Sequence, residues 1–215
     1  MIVEKIDAFY NNKQDSKERT AFYISDAGKC PRAIWFAMKK YPKKATDART
    51  HRIFEHGDHT HMRLMSVLFS LGLVTSVEVG IPDQAVIHGR ADAIISVAGE
   101  PYVVELKSVN SNRFKKGEPD PDHIKQLQLY LHFFKIKKGI LLYENKDNQD
   151  LKEFLVEYDA GLAEKLLSVF SSLKELIDKN ILPMVPEDIE EWRCGYCPYA
   201  EACTGACESA QNGEE

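Results

Sequence analysis

Apolar and polar positions along the chain change period as they go, and the changes divide it into elements. Residues 1 to about 19 are polar and mildly helical. Ser25 then stands as an N-cap before a run carrying Cys30, Pro31, Ile34, Trp35 and Met38, which predicts a helix with Pro31 in its first turns. Residues 41–49, with Pro42, Lys43 and Lys44, read as a charged loop. From about Arg49 to Leu71 the apolar residues Ile53, Leu64, Met65, Leu68 and Phe69 recur at helical spacing. This second helix carries Gly57 and four histidines, His51, His56, His59 and His61.

Beyond it the segments become short and rich in β-branched residues. Strands are predicted at 77–81, 89–95 and 102–107, and the Val-Ala-Gly-Glu-Pro stretch at 97–101 joins the last two as an antiparallel hairpin. A loop over 108–121 leads to a helix over 122–136, on which Gln126 and Tyr130 lie one turn apart on one face. Two further strands follow at 139–143 and 153–158. A long amphipathic helix over 161–179 comes next, and Pro183 and Pro186 lead into a cysteine-bearing tail. Helices, strands, helix, strands and helix in this order describe an α/β fold with a mixed central sheet.

Three charged side chains interrupt the apolar hairpin. Glu105 and Lys107 are two residues apart, so they project from the same face, while Leu106 points the other way into a core. Asp92 can lie beside them across the sheet. Charges on a strand that otherwise reads as buried are unfavourable unless paired or bound to a metal, and a divalent ion is the simplest occupant. The alternative is an edge hairpin with an exposed Glu105–Lys107 ion pair, worth roughly 0 to 1 kcal/mol.

Composition bounds the function. With 215 residues, 44% hydrophobic and 28% charged, the chain fits a single globular domain. Its apolar runs are too short to span a membrane, and the opening Met1-Ile2-Val3-Glu4-Lys5 lacks a signal peptide's apolar stretch, so a cytoplasmic location without a membrane partner is expected. A net charge of -5 argues against indiscriminate coating of nucleic acid. The charge is uneven, however: residues 1–65 hold 13 Lys and Arg against 8 Asp and Glu, and residues 187–215 hold 1 against 8. Basic clusters at Lys39, Lys40, Lys43 and Lys44, at Arg113, Lys115 and Lys116, and at Lys135, Lys137 and Lys138 permit a phosphate-binding surface without demonstrating one.

Five cysteines in such a chain point to metal rather than disulfides. Cys194, Cys197 and Cys203 are spaced to converge on one soft metal centre. Cys207 would complete it locally as a zinc knuckle, whereas Cys30 would tie the two ends of the chain together.

Four motifs now stand in order: Gly57-x3-His61, Gly89-x2-Asp92, Glu105-Leu106-Lys107 and Gln126-x3-Tyr130. Framed by Cys30 and the terminal Cys-x2-Cys-x5-Cys, they resemble the RecB-type PD-(D/E)XK nucleases. The cysteine frame resembles the iron-sulfur version of that fold, as in CRISPR-associated RecB-like exonucleases and the AddB nuclease domain. Ala91-Asp92 replaces the proline-aspartate of the family name, and Cys207 is additional.

The resemblance implies a restriction-endonuclease-like mixed sheet flanked by helices. It further implies one nuclease domain over 1–215, in which residues 20–48 and 180–207 form a cluster subdomain. Asp92, Glu105 and His61 would hold Mg2+ or Mn2+ with help from the Leu106 carbonyl. Carboxylate and carbonyl oxygens suit Mg2+, and imidazole suits Mn2+ better. Lys107 would orient or deprotonate the attacking water and neutralise charge on the phosphate, and Gln126 and Tyr130 would hold the DNA backbone or the lysine. Cys30, Cys194, Cys197 and Cys203 would hold a [4Fe-4S] cluster, with zinc as the alternative centre. The expected function is a metal-dependent exonuclease on single-stranded or frayed DNA ends. The alternatives are a processing nuclease within a CRISPR-adaptation or phage recombination complex, and a catalytically silent DNA-end-binding module.

Overall fold

The computed structural model describes residues 1–13, 19–84, 86–187 and 189–204, so Cys207 lies outside the described residues. The elements run α1 (Ile2–Asn11), β1 (Phe22–Tyr23), a 3-10 turn (Ile24–Asp26), α2 (Pro31–Met38), α3 (Ala48–Ser70), β2 (Val74–Gly80), β3 (Ile87–His88), β4 (Arg90–Val97), β5 (Glu100–Val109), α4 (Ser111–Lys115), α5 (Pro121–Phe134), β6 (Lys138–Asn145), β7 (Leu151–Glu157), α6 (Ala160–Asp178) and α7 (Glu191–Gly195). They divide into two compact units. One is Met1–Phe22, Lys29–Ala48 and Ser168–Glu215, and the other is Tyr23–Gly28 and Arg49–Leu167.

The second unit is built on a five-stranded mixed sheet in the order β2-β4-β5-β6-β7. Only β5 and β6 are parallel, running from Val103↔Gly139 to Val109↔Asn145, and α4 and α5 lie in the crossover that a parallel pair requires. The hairpin between β4 and β5 closes more tightly than its sequence suggests. Ala98 and Gly99 alone form the turn, with φ of 51° and 84°, between the paired Val97 and Glu100. Two positive φ values make the type of turn that matches the right-handed twist of the strands. Pro101 then sits opposite Ser96 at a point where β6 has not yet begun to pair, so its missing N–H leaves no rung on that side empty.

Helices cover both faces of this sheet. On one, Leu64 of α3 packs into a buried cluster with Ala93, Ile95, Val104 and Leu106. On the other, α5 buries six consecutive residues, Gln126 to Leu131, so it is a core helix rather than a surface one. Gly139 explains how close α5 comes: a Cβ there would stand 2.9 Å from the Leu127 side chain. Gln128, buried on the same helix, is satisfied by backbone, donating to the Glu157 carbonyl at 2.7 Å and accepting from Asp159 N–H at 2.8 Å.

In the first unit α2 buries Ile34, Trp35 and Phe36. Phe36 stacks on Tyr199 with ring centroids 5.9 Å apart, and Lys44 N–H donates to the Pro198 carbonyl at 2.9 Å, so the segment around α2 is fastened to the cysteine tail. The helix expected from a Ser25 cap is corrected here. Ser25 lies inside the 3-10 turn, Gly28 follows at φ +88°, and α2 begins only at Pro31, with Cys30 at its N-cap position. Proline at the first helical position has no N–H to lose, which makes it the natural start. Among the described residues no helix is long and apolar enough to cross a membrane.

Candidate active site

The central strand β5 carries the site, and the way its ladder with β4 ends creates it. The rungs run from Val97↔Glu100 to Ala93↔Val104. One residue on, Asp92 inserts its side chain where a strand carbonyl would stand, and its Oδ2 accepts the Leu106 N–H at 2.6 Å. The carboxylate is thereby fixed beside Glu105. From α3, one turn before the packed Leu64, His61 places Nδ1 3.4 Å from Asp92 Oδ1. That carboxylate raises the His61 pKa above its ordinary value, against the opposing effect of burial. A Cβ at Gly57, one turn before His61, would meet nothing within 4 Å, so space is left open there.

Glu105 is 3% exposed. Its Oε1 accepts from Lys107 Nζ at 2.8 Å and from Gln126 Nε2 at 2.5 Å, while Gln126 Oε1 accepts from Lys107 Nζ at 3.3 Å. The other oxygen, Oε2, is buried without a hydrogen-bond partner. Burial pushes the Glu105 carboxyl up to about 7, against the pull of Lys107. A buried carboxylate with an orphaned oxygen, a second carboxylate across the strand and an imidazole beside it make an oxygen-rich donor set. These residues fit a hard divalent cation. As they stand, no three His, Cys, Asp or Glu side chains among the described residues are grouped to hold a metal ion: His61 is engaged on Asp92, and Glu105 Oε1 is engaged on Lys107 and Gln126.

Of the residues singled out in the sequence, His61, Asp92, Glu105, Lys107 and Gln126 are therefore brought together. Tyr130 is placed differently: its hydroxyl donates to the Arg90 carbonyl at 2.7 Å, one turn along α5 from Gln126. His123, at the start of α5, went unnoticed in the sequence. Its Nδ1 lies 2.6 Å from the Tyr143 hydroxyl, and burial, helped by the Lys107 charge, pushes its pKa down to about 4. Only its spacing of three residues from Gln126 could have flagged it.

The first unit holds the second candidate centre. Cys30, Cys194, Cys197 and Cys203 are all free thiols, and all four line one cavity of about 520 Å3 with Phe36, Trp192 and Tyr199. Burial raises the Cys197 pKa, and the other three cysteines add to the rise. Cys203 Sγ also accepts from Arg32 Nη1 at 3.4 Å. Four soft donors around one partly apolar cavity fit a thiolate-bound centre.

Residues 8–204 match the sequence profile of the PD-(D/E)XK nuclease superfamily. The chain belongs to that superfamily. Its mixed sheet with helices on both faces is the α/β fold of PD-(D/E)XK nucleases. The CRISPR-associated exonuclease Cas4 of Saccharolobus solfataricus is 28% identical over 206 residues, covering 87% of this chain and 89% of its own. The crystal structure of SSO0001 is similar at a TM-score of 0.61 with 27% identity, covering 94% of this chain and 96% of that one. An alkaline exonuclease from Laribacter hongkongensis, LHK-Exo, shares the fold at a TM-score of 0.54 and 14% identity, over 82% of this chain and 93% of its own.

Proposed function

We propose that the chain is a metal-dependent deoxyribonuclease that degrades single-stranded or frayed DNA from an end. The observation that carries this reading is the unpartnered Glu105 Oε2, buried beside Lys107 and in the same site as Asp92. Buried carboxylate oxygens in structural ion pairs are as a rule hydrogen-bonded. Asp92, Glu105 and His61 are the residues that would hold Mg2+ or Mn2+, with the Leu106 carbonyl as a further oxygen donor. Such an ion, when bound, supplies Lewis-acid stabilisation of the phosphate and favours deprotonation of water.

The chain's own groups divide the remaining work. Lys107 orients the attacking water and offsets charge growing on the phosphate oxygens. Gln126 keeps the Lys107 ammonium and the Glu105 carboxylate in one geometry by bonding both. Tyr130 fixes the start of β4 through the Arg90 carbonyl, which holds Asp92 in register two residues on. The exonuclease name of the relative from Saccharolobus supports end-directed cutting, and its CRISPR association supports a second setting, trimming within an adaptation complex.

The cysteines of the first unit are read as the ligands of a structural [4Fe-4S] cluster within a single nuclease chain, with residues 20–48 and 180–207 as its cluster region. All four line one cavity, which supports a centre shared by the early and the late segment, with zinc as the alternative occupant.

The test of the catalytic reading is direct. Asp92→Ala and Glu105→Ala are each expected to abolish Mg2+- or Mn2+-dependent cleavage of labelled single-stranded DNA while circular dichroism shows an intact fold. Cleavage near the wild-type rate in either variant at equal metal concentration rejects the assignment.

A further inference from the structure

A cavity of about 570 Å3 opens in the second unit, and Gln126 and Tyr130 form part of its wall. It therefore begins where the Glu105–Lys107 pair ends, because the Gln126 amide bonds both of those residues. The size is that of a small-ligand site. Close contacts fix part of its wall, at Gly89 and Arg90. Gly89 lies against Ile24 so closely that a Cβ would stand 2.9 Å from that side chain, and its carbonyl accepts from Ile81 N–H at 3.0 Å. Arg90 pairs with Gly80 in the sheet and gives its carbonyl to Tyr130, so its backbone is fixed on two sides.

The guanidinium of Arg90, in contrast, is left largely in solvent, with its side chain 68% exposed. Its partner is Glu78, 3.5 Å away across the strands. Glu78 adopts φ +47°, a left-handed conformation that a non-glycine residue in a strand rarely holds without cause. An exposed pair at that distance contributes little to stability. It does keep a guanidinium poised at the cavity with a carboxylate that a phosphate can displace. Tyr23 also lines the cavity and is 42% exposed, so it offers aromatic surface there on which a base can stack.

We propose that this cavity is a nucleotide subsite. It receives the nucleotide of a single-stranded substrate that adjoins the phosphate being cut, with a backbone phosphate on Arg90 and a base against the Tyr23 ring. This rests on the reading of the chain as a DNA nuclease, and it identifies the part of the substrate that the neighbouring site recognises. Phosphate and stacking contacts read no base edges, so the subsite is indifferent to sequence.

The test separates binding from cutting. Binding of a short fluorescein-labelled single strand is followed by anisotropy in EDTA over a range of salt concentrations, and cleavage is measured separately with Mn2+. Arg90→Ala is expected to weaken binding about tenfold and to lower the salt slope by about one, as loss of one phosphate contact does. Glu78→Gln, which removes the competing carboxylate, is expected to tighten binding. Tyr23→Ala is expected to weaken binding about tenfold, and Tyr23→Phe, which keeps the ring, to restore it. In the cleavage assay the losses appear in KM rather than in kcat.

Wild-type protein that binds DNA but cuts nothing would remove the nuclease reading, and the binding series would still judge the subsite. Unchanged affinity and salt slope in Arg90→Ala and Tyr23→Ala overturn the proposal. So does a fall in kcat at constant KM, which would make both residues supports of the catalytic groups. Arg90→Lys keeps the charge and should keep the salt slope. A slope as low as that of Arg90→Ala, in a protein with wild-type circular dichroism, also counts against the subsite.

Discussion

At Glu105 the sheet buries a carboxylate, and its polar neighbours decide what it can do. Lys107 and Gln126 occupy one oxygen and leave the other without a hydrogen-bond partner. His123 shows the same environment acting on a base. Burial, with Lys107 adding its charge, moves it from 6.5 to about 4, so at neutral pH the ring stays neutral against the Tyr143 hydroxyl. Because the folded pKa lies below the unfolded one, the unfolded chain takes up a proton that the folded chain refuses between those two values. The stability that the neutral ring contributes is present above about 6.5 and is lost as the pH falls towards about 4. His123→Gln, which can still bond Tyr143, should flatten that part of the curve. Melting temperatures of the two proteins across this pH window check it, and parallel curves would show that the ring is not held neutral by burial.

Among the elements, α5 links core to site most directly, since it supplies Gln126 to Glu105 while burying Leu127 against Gly139. Gly139→Ala places a Cβ where the Leu127 side chain already stands and is expected to destabilise the protein by about 1–3 kcal/mol, the usual penalty for overpacking. Repacking of Leu127, one residue from Gln126 on the same helix, is expected to disturb the Gln126 bond to Glu105, so kcat should fall as well. Urea unfolding together with steady-state cleavage reads both effects, and a stability loss with full activity would separate the helix from the site. The sequence makes α5 legible through its 3.6-residue period, and β5 through its alternation of Leu106 with Glu105 and Lys107. Segments set by backbone geometry are harder to read. The two-residue turn at Ala98-Gly99 depends on a positive φ at an alanine, which propensity does not anticipate, and the false Ser25 cap depends on Gly28 breaking the chain before Pro31. Motif spacing singles out Asp92, Glu105 and Lys107, which the fold brings together. The bond from Asp92 to the Leu106 N–H is a feature of how two strands part, and no residue pattern encodes it.

At the scale of the whole molecule, the first unit is assembled from the two ends of the chain, and its cysteines follow the same division: Cys30 comes from the early segment, and Cys194, Cys197 and Cys203 from the last. A centre held by all four closes nearly the entire chain into one loop. Closing so long a loop restricts the unfolded ensemble more than closing a short one, although the dependence is only logarithmic. A centre completed instead by Cys207 would close a few residues and leave Cys30 uninvolved. The two arrangements respond oppositely to mutation. With Cys30 as a ligand, Cys30→Ser should lose iron and melting temperature together, while Cys207→Ser keeps both. Anaerobically purified wild-type protein should then be brown, from sulfur-to-iron charge transfer in a Cys-ligated cluster, whereas a zinc centre leaves it colourless. Iron and zinc contents, visible absorbance and thermal melts of the three proteins decide the matter. If Cys207→Ser strips the metal and Cys30→Ser does not, the tail is a local knuckle, and Cys30 and its segment are held to the tail by contacts such as Phe36 on Tyr199 and the Lys44–Pro198 hydrogen bond.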